Sequence, residues 1–133
     1  MRWKYTECYP GIFRPVIEIT LITPLRALHQ DVLIDSGADF CVFSSQTGIE
    51  LGLDIQKGRT GEALGAGGKI SPYYLHKIIM RVGRQNFEIE AGFMLNMTEN
   101  EMPYGIAGQN GFFDNFVVKF DRTRKEIELE KRK

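Results

Sequence analysis

The sequence predicts a mostly β protein, built as a small closed or folded-over sheet with one short helix. Three observations predict it. The segment Val16–Ile22 is rich in β-branched residues and partly alternates in polarity. Two longer runs, Arg59–Leu64 and Ile70–Val82, flank a glycine-rich tip as a hairpin would. Near the C-terminus, Ile127 and Leu129 share one strand face while Glu126, Glu128 and Glu130 share the other.

The remaining elements follow in chain order. Pro24 ends the first strand, and residues 31–34 form a second short one that runs into Asp35-Ser36-Gly37. Residues 45–51 suit one or two helical turns, with Gly52 as the stop. Residues 86–95 read as another strand and residues 109–115 as the short C-terminal helix. Residues 116–120 and 126–130 close the chain as a hairpin around a polar turn.

The chain has 133 residues, the size of one domain spanning 1–133. Charged residues make up 26% and hydrophobic ones 43%, which suits an ordinary folded globule. Lys plus Arg is 17 and Asp plus Glu is 17, so no net field favours nucleic acid or an anionic membrane. The basic run Lys131-Arg132-Lys133 is too short to change this. Residues 1–15 lack the continuous apolar core of a signal peptide, and Glu18 and Thr20 interrupt the run 16–22, far short of a spanning helix. Cys8 and Cys41 are too few for a disulfide framework, and reduced thiols point to a cytoplasmic location. His29 and His76 share no ligand spacing with them, so neither a metal nor a cofactor is expected.

The segment carrying most information is Val32-Leu33-Ile34-Asp35-Ser36-Gly37-Ala38-Asp39. Successive apolar residues predict a strand buried on both faces that delivers Asp35 to the edge of a low-dielectric core. Desolvation raises a carboxyl pKa, and such groups cluster at functional sites. Gly37 lets backbone pass close by, and the Ser36 hydroxyl can cross-link the turn. By itself the tripeptide is an ambiguous turn, arising by chance in roughly one chain in twenty of this length.

Asp35-Ser36-Gly37-Ala38-Asp39 matches the Asp-[Thr/Ser]-Gly-Ala pattern of retropepsin-like aspartic peptidases, and the chain resembles that family over residues 14–120, roughly. About 70 residues on, Gly105-Ile106-Ala107-Gly108 is similar to the family's second signature. Between them, Leu64-Gly65-Ala66-Gly67-Gly68-Lys69-Ile70 resembles its flap, a hairpin that closes over substrate. The resemblance implies the acid-protease (retropepsin-like) folded-over β-barrel with one short C-terminal helix, active as a two-fold dimer. It assigns Asp35, Ser36 and Gly37 to catalysis and a peptide substrate to a cleft lined by Ala38, Val42, Leu64, Gly65, Ala66, Tyr104 and Ile106. Asp39 would contact substrate backbone or brace the turn, and Val42 and Ile106 serve equally well as plain core.

This chemistry needs two carboxylates whose pKa values split, one ionised and one protonated. The chain holds one Asp-[Ser/Thr]-Gly, the other aspartates being followed by Val, Phe, Ile, Asn or Arg. One copy cannot supply the dyad, so a homodimer is required, with Asp35 of each chain meeting on the axis. The resemblance adds a Ser36 hydrogen bond across that axis.

Three departures bear on this. Gln109 stands where family members often carry an arginine paired with the second aspartate, here Asp39, and a neutral amide cannot make that bidentate pair. Ala66 is smaller than the usual apolar residue at the flap tip. The chain also continues through a whole C-terminal hairpin, which leaves the mode of pairing open. Two other classes compete with a peptidase: a catalytically silent binding or scaffolding domain of the same fold, and a β-barrel that binds another ligand through its glycine-rich loop. That loop does not complete a phosphate-binding or dinucleotide-binding pattern. No Gly-x-Ser-x-Gly elbow is present, and Cys41, on the strand leaving the Asp turn, reads as a buried structural thiol rather than a nucleophile.

Overall fold

A computed structural model describes residues 1–64, 70–95 and 103–132, with side chains left undescribed at 62–64 and 70–71. The strands are β1 (Arg2–Lys4), β2 (Thr6–Tyr9), β3 (Ile12–Arg14), β4 (Val16–Ile22), β5 (Ala27–Ile34), β6 (Val42–Ser44), β7 (Arg59–Leu64), β8 (Ile70–Val82), β9 (Gln85–Met94), β10 (Gly105–Ala107), β11 (Phe116–Asp121) and β12 (Glu126–Lys131). One helix, α1 (Ser45–Glu50), and a 3-10 turn, Ile55–Lys57, lie between β6 and β7.

Six strands in the order β4-β5-β10-β6-β9-β8 close into a barrel, because β8 pairs back on β4 from Thr20↔Arg81 to Ile22↔Ile79. Closure removes the free edges that such short strands would otherwise expose. The long β8 serves three partners: its first half carries β7 and its last residues carry β4, while β9 runs beside it from Tyr73 to Val82. The β8–β9 turn is the two-residue Gly83-Arg84, and Gly83 takes the positive φ, +60°, that such a hairpin needs. The core is filled from the inward faces by Ile17, Ile19, Leu21, Val32, Ile34, Phe43, Met80, Phe93 and Phe112.

A second sheet, β1-β12-β11, joins the two ends of the chain. Ile127 and Leu129 of β12 are buried against the barrel, and the glutamates point outward, as the alternation predicts. β2 and β3 form a separate hairpin. Residues 1–15, which offered no strand signal on their own, thus supply three strands, and β5 begins four residues earlier than expected.

The helix expected at 45–51 forms. Ser44 Oγ accepts the Thr47 N–H at 3.3 Å as its N-cap, and Gly52 ends the segment at φ +85°. The C-terminal helix expected at 109–115 does not form. That segment is a run of turns with i→i+5 bonds from Phe113 N to Gly108 O (3.2 Å) and from Asp114 N to Gln109 O (3.1 Å). Gly111 at φ +101° interrupts any helical path. The Asp114 carboxylate accepts the Gly111 N–H, and the Asn115 amide donates to the Gly111 carbonyl, so side chains take up the groups a helix would use. Among the described residues no helix is long and apolar enough to cross a membrane.

Candidate active site

β5 ends at Ile34, whose N–H donates to Pro15 O at 2.9 Å, and the next N–H, of Asp35, donates to Ala107 O at 3.0 Å. The backbone that leads into the carboxylate is therefore tied to two different segments. The chain then turns through residues 35–41 and enters β6, while β10 lies between β5 and β6, parallel to the first and antiparallel to the second. The connecting loop must cross the end of β10 at close range, and the second motif has glycines where this crowding is greatest. A Cβ on Gly108 would lie 2.3 Å from Phe40 O and 2.7 Å from Ala38 O, and one on Gly105 would lie 2.5 Å from the Phe43 ring. The loop is fastened to the strand by Gln109 N–H to Ala38 O and Asn110 N–H to Asp39 O, both 2.8 Å.

Within the turn, Asp35 Oδ1 accepts the Gly37 N–H at 2.8 Å, the Asx-turn that Asp-x-Gly favours. Added bulk at Gly37 would crowd that oxygen, since a Cβ there would sit 3.2 Å from it. Asp35 is half-buried, whereas Ser36 and Gly37 are exposed. Among the described residues the Gly37 N–H is the one hydrogen-bond donor to this carboxylate, and the Ser36 hydroxyl has no partner. The loop thus presents a carboxylate and a hydroxyl at the surface of a single copy.

Leu33, Ile106 and Val42 are in register across β5, β10 and β6, and all three are half-buried. Their neighbours Val32, Ile34, Ala107, Cys41 and Phe43 point the other way into the core. Asp35 lies two positions after Leu33, so strand alternation puts this apolar row on the face toward the carboxylate. Ala38 is half-buried beside it, with its N–H on Asp35 O at 3.3 Å, and Asp39 is exposed. Val42 and Ile106 therefore line up beside Leu33, while Ala38 and Asp39 follow Asp35 in the turn. Tyr104 shares their face but stands at the far end of β10, where its hydroxyl accepts from the Arg14 guanidinium at 2.5 Å. That bond raises the Arg14 pKa above its ordinary value. Leu64 ends β7 opposite Ile70, with its side chain outside the described residues, as are Gly65 and Ala66 altogether.

Gln109 departs from its expected place. Its side-chain amide does not face Asp39 but donates to Ser36 O at 2.7 Å, bracing the Asp35 turn from behind. Sequence reasoning also missed Leu33 as part of the apolar row, and the pair Phe40 and Tyr73, whose rings lie 6.0 Å apart. Leu33 was recoverable from period-2 spacing to Asp35; the Phe40–Tyr73 contact had no local signal. Cys41 is fully buried, and burial pushes its thiol up to about 11, as suits a structural thiol. Among the described residues no three His, Cys, Asp or Glu side chains cluster as metal ligands.

The closed six-strand barrel is that of the retropepsin-like fold, and the chain has this fold. The crystal structure of a retropepsin-like aspartic protease from Rickettsia conorii superposes with a TM-score of 0.69 at 15% identity, covering 97% of this chain and 88% of that one. The EIAV protease complexed with the inhibitor HBY-793 superposes with a TM-score of 0.53 at 18% identity, covering 72% and 82%. No protein-family model and no curated protein matches the sequence.

Proposed function

We propose that this chain, a single domain over 1–133, is one subunit of a homodimeric aspartic endopeptidase. The observation that carries the proposal is the Asp35-Ser36-Gly37 turn, anchored on both sides by backbone bonds and offering a half-buried carboxylate in a retropepsin-like fold. One chain contributes one such turn, so the catalytic pair comprises Asp35 of each subunit. The pair shares one proton, because two adjacent carboxylates do not both ionise readily. Their ionised member takes a proton from the water held between them as that water attacks the peptide carbonyl. The protonated member donates to the developing oxyanion, and a carboxyl then passes a proton to the leaving amine. Ser36, exposed and without a side-chain partner among the described residues, braces the opposite turn, and Gly37 keeps the approach to the carboxylate open.

The row Leu33, Ile106 and Val42, with Ala38 and Tyr104, supports a cleft for apolar substrate side chains. The reading assigns Asp39 to a substrate backbone N–H and Leu64, Gly65 and Ala66, the last two outside the described residues, to a flap over the substrate. Two free thiols, one of them buried, fit a reducing compartment such as the cytoplasm.

The test is cleavage of a peptide library between about pH 4 and pH 7, the range of a coupled carboxyl pair, beside an Asp35→Asn variant. Wild type is expected to cleave. The variant should lose at least about 1,000-fold in kcat/KM, the scale of acid–base catalysis, and keep its melting temperature. Cleavage that survives the substitution would exclude Asp35 as the catalytic group. A dimer that cuts nothing would identify a binding or scaffolding domain of the same fold.

A further inference from the structure

The half-buried row of Leu33, Ile106 and Val42 does not stop at β6. Val42 is paired with Gly92 of β9, Gly92 with Leu75 of β8, and Leu75 with Arg59 of β7. Residues paired across strands share a sheet face, so this face runs on from β6 to the root of the β7–β8 hairpin. Tyr73 lies two positions before Leu75 and opposite Gly61, and alternation therefore sets it on the same face.

Two glycines give the Tyr73 ring its seat. A Cβ on Gly61 would lie 2.6 Å from the Tyr73 hydroxyl oxygen and 2.7 Å from Cε2, and one on Gly92 would lie 3.1 Å from Cδ2. Neither glycine has a positive φ, so backbone conformation does not call for glycine at either position. Glycine inside a strand weakens it and marks a close approach, and here the approaching group is the ring. The ring therefore fills the space that a side chain at 92, the partner of Val42, would take. It meets the Phe40 ring at 6.0 Å and 45°, within the range of favourable aromatic pairs. Phe40 belongs to the loop that carries Asp35, so the pair joins the hairpin root to that loop. The rings that fill the core, Phe43, Phe93 and Phe112, are fully buried, whereas Tyr73 and Phe40 stay half-buried along the face.

We propose that Tyr73 is a specificity-determining residue of the cleft. Its ring closes the apolar row next to Val42 and limits the substrate side chain taken there to a small aliphatic one. This role rests on the peptidase reading, which lays an extended peptide along the row. Without the ring, Gly92 has no side chain to fill the gap, so the compartment grows by the volume of a phenol and admits an aromatic side chain. The limit is steric, and the ring rather than its hydroxyl sets it.

Cleavage and retention of one peptide library test this. Tyr73→Ala and Tyr73→Phe are made with Asp35 intact, to read cleavage, and with Asp35→Asn, to read the peptides that the immobilised protein retains uncut. At one peptide position Tyr73→Ala should raise the ratio of aromatic to small aliphatic side chains by at least about 10-fold, the scale on which apolar pockets discriminate by size. Tyr73→Phe should keep the wild-type ratio. A general loosening of the fold would weaken all peptides alike and leave the ratio where it was. Tyr73→Leu, which keeps the position apolar, should shift the ratio in the same direction and serves if Tyr73→Ala does not fold by circular dichroism. An unchanged ratio in a folded variant, or a Tyr73→Phe protein that shifts as Tyr73→Ala does, overturns the proposal. Cleavage by wild type with its preference unmoved in Tyr73→Ala would sink the role of Tyr73 and leave the peptidase standing. A shifted ratio among retained peptides, with no cleavage by any Asp35 protein, would do the reverse. A protein that neither cuts nor retains any peptide sinks both.

Discussion

Replacing Gly108 by alanine probes the architecture that holds Asp35. The new methyl would meet Phe40 O at 2.3 Å and Ala38 O at 2.7 Å, far inside any real Cβ contact. Both atoms are backbone, so no rotamer change relieves the clash. The loop 35–41 must lift from β10, and the bonds from Gln109 N–H and Asn110 N–H, now 2.8 Å, must lengthen with it. Overpacking of a tight interior costs about 2 kcal/mol and each of the two weakened hydrogen bonds about 0.5 kcal/mol, so roughly 3 kcal/mol of stability is lost. For a chain of this length that is a fall of roughly 10 °C in Tm. Thermal and urea denaturation followed by circular dichroism read it directly. Peptide cleavage should fall further than stability alone accounts for at temperatures where the variant is still folded, because the lifted loop carries Asp35. A Tm within about 2 °C of wild type would refute the idea that the loop crosses β10 at backbone contact.

Gln109→Ala removes the 2.7 Å bond to Ser36 O at an exposed position and should cost about 1 kcal/mol in urea titration, with a larger proportional loss in cleavage. Ser44→Ala deletes the N-cap of α1 and should cost a similar amount, about 1 kcal/mol, without affecting cleavage. Burial raises the Cys41 thiol from 9.0 to about 11, so the folded chain holds this proton more tightly than the unfolded one. The associated stability is complete below about pH 9 and is lost as pH rises toward 11, by at most about 3 kcal/mol. Urea midpoints of wild type across that range should therefore fall more steeply than those of Cys41→Ala.

Much of the candidate site was legible because its signals are local. An apolar run ending in Asp-Ser-Gly announces a strand that delivers a carboxylate into an Asx-turn, and Asp35 Oδ1 accepting the Gly37 N–H is that turn. Val42 and Ile106 were named as lining residues, and the register across β6 and β10 sets them side by side. The helix at 109–115 was misread because its residues tolerate helix while Gly111 takes a positive φ. Asp114 and Asn115 side chains then satisfy the backbone there. β1 was invisible because a three-residue strand has no periodicity of its own. It exists through pairing with β12, more than a hundred residues away.

By itself the sequence determined the mostly β class, the place of the Asp35 turn and its occurrence once per chain. These depend on side-chain alternation and on contacts two or three residues apart, which any reader of the chain can inspect. Tertiary structure alone decided why Gly105 and Gly108 are glycines, since only the insertion of β10 between β5 and β6 brings Phe43 and the Asp loop against them. It also decided that Gln109 braces Ser36 rather than facing Asp39, and that β12, between β1 and β11, is the central strand of the terminal sheet. Strand pairing is a contest among all available edges, and its outcome belongs to the whole barrel rather than to any segment of the chain.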